Sequence, residues 1–227
     1  MMINSSNISR RDFLRRVSAG AMAVSGFAVI GAEGPRPAPR MPDPPWSAIR
    51  GFNYQPSYGS SGFELWQKFN ARTIAIELDR GKKFFPKMNA LRWWQSWDSF
   101  LRDPKRYTRD FETTLTLAAQ RGLMVMPCLF NRWHDSALDY GGIYVDHFLP
   151  KVSWVQRDKM FDAFLDALVG EHKDDARILA WDLCNEPYAY SCPREQITDI
   201  VQAETVWLKT MYDRCKEQGA QAPITVG

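Results

Sequence analysis

A rhythm of short apolar runs, separated by stretches long enough for helices, limits the fold of this chain more than any other feature. RGFNYQ (50–55), MNALRWW (88–94), LMVMPCLF (123–130), RILAWDLC (177–184) and PITV (223–226) read as strands. The third is apolar throughout, as expected of a strand covered on both faces. Between the runs, residues 63–83 space Phe63, Leu65, Trp66, Phe69, Ile74, Ile76 and Leu78 as a helix does. Residues 110–121 place Phe111, Leu115, Leu117 and Ala118 on one side, with Gly122 as a stop. Residues 154–171 carry Met160, Phe161, Phe164, Leu165 and Leu168, and residues 193–218 form a long helical segment ended by Gly219. Strands alternating with such helices pair in parallel through right-handed crossovers. Two architectures satisfy this, a doubly wound open sheet and a (β/α)8 barrel. The tract Gly59-Ser60-Ser61-Gly62 is too short to cradle a phosphate and lacks a following Lys, so a nucleotide site is set aside. In both architectures the chemistry lies at the carboxyl ends of the strands.

Composition removes other classes. With nine Trp, thirteen Phe and eight Tyr in 227 residues, the chain is too aromatic to be disordered. No apolar run in its body is long enough to span a membrane. The formal charge of +3 is uneven: the first forty residues hold six Arg against Asp12 and Glu33, which leaves the body near neutral. Nucleic-acid binding has no electrostatic support.

The N-terminus places Arg10 and Arg11 ahead of Phe13-Leu14 and an Ala/Gly-rich stretch from Val17 to Ala32. A charged-then-apolar layout is that of a secretory signal. The string Ser9-Arg10-Arg11-Asp12-Phe13-Leu14 resembles the bacterial twin-arginine export signal. The resemblance implies a signal peptide over 1–33, the twin-arginine export machinery as a partner, and a periplasmic or secreted destination without stable membrane insertion after cleavage. Residues 34–45 carry six prolines and read as an extended linker. The folded body then spans 46–227. Cys128 and Cys184 lie in strand-like runs and read as small core residues. A Cys184–Cys192 bridge across a loop is the alternative for Cys184 in an oxidising compartment. Three His without metal-ligand spacing give no metal site, and no cofactor is expected. His172 reads as a solvated helix end.

Each strand end offers polar groups beside an aromatic. Asn53, Tyr54 and Tyr58 follow the first, Arg92, Trp93, Trp94 and Trp97 the second, Asn131, Arg132, Trp133, His134 and Asp135 the third, and Asn185, Glu186, Pro187 and Tyr188 the fourth. Aromatic faces stack on the C–H faces of sugar rings while amides, Arg and His bond hydroxyls, so the mixture suits a carbohydrate. The tract Trp181-Asp182-Leu183-Cys184-Asn185-Glu186-Pro187 resembles the fourth-strand signature of clan A glycoside hydrolases, which include the family 5 cellulases and mannanases. An Asn-Tyr after strand one, Asn-Ala-Leu-Arg on strand two and a His-bearing turn after strand three accompany it in order. The resemblance implies a (β/α)8 barrel of which about the first four and a half units are present. It implies a retaining glycoside hydrolase acting on a β-linked poly- or oligosaccharide.

On that resemblance Glu186 is the general acid/base, with its pKa raised to hold a proton for the leaving oxygen. Asn185 bonds the sugar 2-hydroxyl. Arg92 reaches below the nucleophile and keeps that carboxylate ionised. Asn53, Tyr54, Trp94, Asn131, Trp133, His134 and Tyr188 are the substrate-binding candidates. Asn131 and His134 compete for one polar position after strand three, where His134 otherwise caps the turn through Asp135. The family's nucleophile is a Glu ending strand seven, and no carboxylate here matches it. Asp182 is too close behind Glu186, and Asp98 and Asp135 read as solvated or turn-forming. A whole barrel takes about 250 residues, so residues 46–227 are expected to be the N-terminal part of a longer enzyme and inactive alone. Residues 135–151 read either as a lid over the cleft or as a surface loop anchored by its aromatics. The second functional reading is a non-catalytic carbohydrate-binding protein on a barrel scaffold.

Overall fold

The computed structural model describes residues 46–132, 142–149 and 159–227. The expected signal, the Pro-rich linker, Trp133 and His134 lie outside the described residues. Among the described residues, five strands form one parallel sheet: β1 (Gly51–Tyr54), β2 (Ala90–Trp94), β3 (Met124–Asn131), β4 (Trp181–Asn185) and β5 (Ile224–Thr225). Their spatial order is their sequence order. A doubly wound sheet reverses direction at a switch point, and this one does not; it is the advancing arc of a (β/α)8 barrel.

Local chemistry explains the helices and corrects several expected boundaries. The helical pattern over 63–83 is two helices, α1 (Gly62–Gln67) and α2 (Ala71–Phe84). The Ser61 hydroxyl accepts from the Glu64 N–H to start α1, and the Asn70 side chain accepts from the Thr73 N–H to start α2. Two caps in one apolar pattern divide it. A short helix absent from the sequence reading, α3 (Trp97–Arg102), is capped by Ser96. The next helix, α4 (Pro104–Ala119), begins well before residue 110, because Asp103 caps the Arg106 N–H and Pro104 fills the first turn. It ends where expected: Gly122 has φ +65°, and Leu123 N–H donates to the Ala118 carbonyl. Of the segment expected over 154–171, the described part is one turn, α5 (Asp162–Leu165), which widens into a π-helical turn at Asp166–Gly170. The last helix, α6 (Thr198–Glu217), starts after a separate 3-10 turn at Arg194–Gln196 rather than at residue 193. Gly219 closes it at φ +87°.

The helices cover one sheet face, packed by Leu91, Trp93, Val125, Leu129, Trp181 and Leu183. The opposite face begins with Ala90, Ala180, Met124 and Met126 at the strand starts. It continues toward the carboxyl ends with Arg92, Cys128 and Asp182, joined by hydrogen bonds. Alternation along β2 therefore sends Leu91 and Trp93 to the helices and Arg92 to the interior. At Gly51 the backbone of β1 runs so close to β2 that a Cβ would meet the Ala90 carbonyl oxygen at 2.8 Å. All four cysteines are free thiols, so no Cys184–Cys192 bridge forms, and Cys128 and Cys184 are buried. No helix among the described residues is long and apolar enough to cross a membrane.

Candidate active site

Five polar side chains from four consecutive strands meet on the interior face at the carboxyl ends. Arg92 of β2 is the hub. Its Nε donates to Asp182 Oδ2 at 2.7 Å, and its Nη2 makes a second, shorter contact to the same oxygen. Nη1 donates to Asn53 Oδ1 at 3.1 Å, and Nη2 also reaches Asn185 Oδ1 at 3.0 Å. The Trp94 ring lies under the guanidinium, 4.7 Å from Cζ. Asp182 is fully buried, and a charge taken out of water must be paired. The Arg92 expected beneath a nucleophile is thus already matched by Asp182, whose carboxylate is its counter-ion. Gly227 closes on the same pair: its N–H donates to Asp182 Oδ1 at 3.0 Å, and a Cβ there would fall 2.7 Å from Arg92 Nη2.

Asn185 is fixed twice. Its Oδ1 accepts from Arg92, and its Nδ2 donates to Asn131 Oδ1 at 3.0 Å. Because a guanidinium only donates, the amide cannot be flipped. One N–H of Nδ2 is used by Asn131, so the second is available at the rim to a hydroxyl oxygen. Asp182 and Asn185 are three residues apart yet both bond Arg92. Residues i and i+3 of a regular strand face opposite sides, so β4 rolls over between them.

Glu186 follows directly. It is exposed at the end of β4, its N–H donates to the Gly227 carbonyl at 3.1 Å, and its φ is +46°. Tyr188 has φ +63°, and these two are the non-glycine residues of positive φ among those described. Such backbone is strained for an L residue and persists where its surroundings enforce it.

Not every expected contact is in this cluster. Tyr54 is on the other face of the sheet, its hydroxyl donating to Glu77 Oε2 of α2 at 2.6 Å and its ring edge-on to Trp93. Burial beside that carboxylate holds its phenol protonated far above the usual range. Tyr188 turns to α6, where its hydroxyl meets Thr205 Oγ1 at 2.9 Å. Asn53, Trp94 and Asn131 are in the cluster with Arg92 and Asn185. His172 is packed rather than solvated: its ring meets Phe111 edge-on, and Nδ1 is 2.9 Å from the Leu168 carbonyl. Beside it, Glu112, His172 and Asp175 form a group of metal-ligating types, but Arg177 already bonds both carboxylates. Of the long segment after β3, the described residues 142–149 are anchored through buried Ile143 and Phe148, with His147 edge-on to Trp97.

Asp98 departs from the solvated role expected of it. It is half-buried in the first turn of α3, and burial raises its carboxyl from 3.8 to about 6, against the opposing pull of Arg102. The folded state then binds more protons than the unfolded chain between about pH 4 and pH 6. Stability falls as pH rises through that window. Asp98→Asn should flatten the decline, leaving stability near pH 4 little changed and raising it near pH 7. Melting temperatures across pH 4–7 check this, and parallel curves for the two proteins would refute it.

The residues behind the turn went unread in sequence. Arg132, at the end of β3, and Glu204, on α6, are both fully buried and pair at 2.7 Å. The available signal was an acid in the apolar stretch of a helix, which requires a buried partner.

Comparison with known proteins agrees with the geometry. No family model matches the chain. Mannan endo-1,4-beta-mannosidase F of Aspergillus clavatus is 26% identical over 103 residues, which cover 43% of this chain and 23% of that one. Its counterpart in Aspergillus fumigatus is 27% identical over 103 residues, with the same coverage. The matched span is thus about a quarter of the length of these relatives. Among solved structures, the exo-beta-1,4-mannosidase Op5Man5 from Opitutaceae bacterium strain TAV5 superposes with a TM-score of 0.58 at 21% identity, covering 78% of this chain and 31% of that one. GH5_18 from Streptomyces cattleya, in complex with GlcNAc, gives 0.54 at 19% identity, covering 82% and 44%. The described chain therefore has the fold of part of a (β/α)8 barrel, and its sequence relatives are glycoside hydrolases.

Proposed function

We propose that this chain contributes the acid/base half of a retaining glycoside hydrolase that cleaves a β-linked, mannose-containing glycan. The observation that carries the reading is the setting of Glu186. A strained backbone holds it at the carboxyl end of β4, next to an Asn185 amide locked by Arg92 and Asn131 with one N–H to spare. In retaining hydrolysis the acid protonates the leaving oxygen, a second carboxylate takes the anomeric carbon, and the acid then acts as base toward water. The spare Asn185 N–H suits the 2-hydroxyl, a contact that strengthens as positive charge grows on the ring. Asp182 does not serve as the nucleophile, because its carboxylate is buried against Arg92. The nucleophile then lies outside the residues described. The mannosidase relatives support the substrate class.

The test is hydrolysis of β-1,4-mannan and aryl β-mannosides by the full-length protein, with NMR of the first-formed anomer. A β product supports the reading, and an α product refutes retention. Saturable sugar binding with no turnover would favour the non-catalytic carbohydrate-binding alternative.

We further propose that residues 1–33 direct export through the twin-arginine route. Changing Arg10 and Arg11 together to Lys should hold a reporter fused behind residue 45 in the cytoplasm of a bacterial host. Unchanged export on fractionation would refute this.

A further inference from the structure

Behind the Glu186 turn lies a buried polar knot built on Glu204 and Arg132. Glu204 sits in α6 and Arg132 at the end of β3, and neither exposes any surface. Glu204 Oε1 accepts from Arg132 Nε at 2.7 Å and from the Tyr188 N–H at 3.2 Å. Its Oε2 accepts from the Tyr190 hydroxyl at 2.5 Å, and Arg132 Nη2 donates to that same hydroxyl at 3.2 Å. The Arg132 N–H donates to the Asn185 carbonyl at 2.9 Å, and Nη1 donates to the Ile143 carbonyl at 2.5 Å. The guanidinium lies over the Phe148 and Tyr190 rings, 4.8 and 5.5 Å from their centroids.

These bonds grip the chain at residue 185, at 188 and at 190. The two residues of left-handed backbone, Glu186 and Tyr188, fall inside that span. Conformations of this kind relax unless several contacts over-determine them. A buried ion pair is a poor source of net stability, so stability alone is a weak reason for a chain to hold one here. We infer that Glu204, Arg132 and Tyr190 are positioning residues, which clamp the turn so that the Glu186 carboxyl stays aimed at the leaving-group oxygen. The inference rests on the acid/base reading of Glu186.

Arg132 variants would strand a buried carboxylate and fail to fold, so the test uses Glu204→Gln and Tyr190→Phe in the full-length protein. Phenyl β-mannoside needs a proton on its leaving oxygen, whereas the 2,4-dinitrophenyl compound leaves with little help. A displaced acid should cost about 100-fold in kcat/KM, which reports the first step alone, on the phenyl substrate and less than about threefold on the dinitrophenyl one. Equal losses on both substrates would overturn the inference, because general damage to the fold does not distinguish leaving groups. Hydrogen exchange supplies a readout free of activity. Amides of residues 185–190 should exchange roughly tenfold faster in Glu204→Gln while those of β2 and β3 stay protected. Unchanged exchange at 185–190, or faster exchange across the whole sheet, would overturn the clamp. If the parent protein cleaves neither glycoside, the acid/base reading falls, and the exchange data still decide whether the clamp exists.

Discussion

Glu186→Gln should lower kcat/KM on phenyl β-mannoside by about 10²- to 10⁴-fold, the range that a positioned general acid contributes. The substitution keeps the side chain's shape and removes its proton, so sugar binding should change little. The loss should shrink on a dinitrophenyl leaving group, and added azide should partly restore turnover by replacing the activated water in the second step. The side chain is exposed and makes no hydrogen bond to any described residue, so its replacement should leave the melting temperature within about a degree. A variant that keeps near-parent rates on the phenyl substrate would remove Glu186 from the chemistry and leave the carbohydrate-binding alternative standing.

Arg92→Met should be the most destabilising single change at the site. Asp182 is fully buried and Arg92 is its ion-pair partner. Removing one member of a buried pair costs about 3–5 kcal/mol, because the other charge is left without compensation. Urea unfolding would show it as a lower midpoint at unchanged slope. The double variant Arg92→Met, Asp182→Leu should recover most of the loss, since no charge is then stranded. It should still be inactive, because Asn53 and Asn185 would both lose the donor that fixes them. A double variant as unstable as the single would refute the account of the pair.

How far the sequence could be read depended on the reach of each interaction. The strands were legible because each is a local apolar run, and the fourth-strand tract was legible because its chemistry is contiguous. Helix boundaries were less so: Asn70 and Asp103 act through single cap hydrogen bonds that apolar spacing does not register. The pairs Arg92–Asp182 and Arg132–Glu204 join residues 90 and 72 positions apart, and only the folded sheet brings them together. Tyr54 shows a different failure. It neighbours Asn53 on one strand, and alternation sends adjacent side chains to opposite faces. Once Asn53 is at Arg92, Tyr54 must lie among the helices. For Tyr188, the left-handed turn carries the ring to α6, and neither composition nor spacing announces such a turn.

The roll of β4 between Asp182 and Asn185 has a consequence for how this tract tolerates change. One short strand delivers both the counter-ion of Arg92 and the amide beside Glu186, and the two stay in phase only while exactly two residues separate them. Leu183 and Cys184 could be exchanged for other apolar side chains of similar volume, but gaining or losing a single residue there would shift Asn185 out of register with Asn131, its partner on β3. The tract should therefore drift in identity while its length stays frozen.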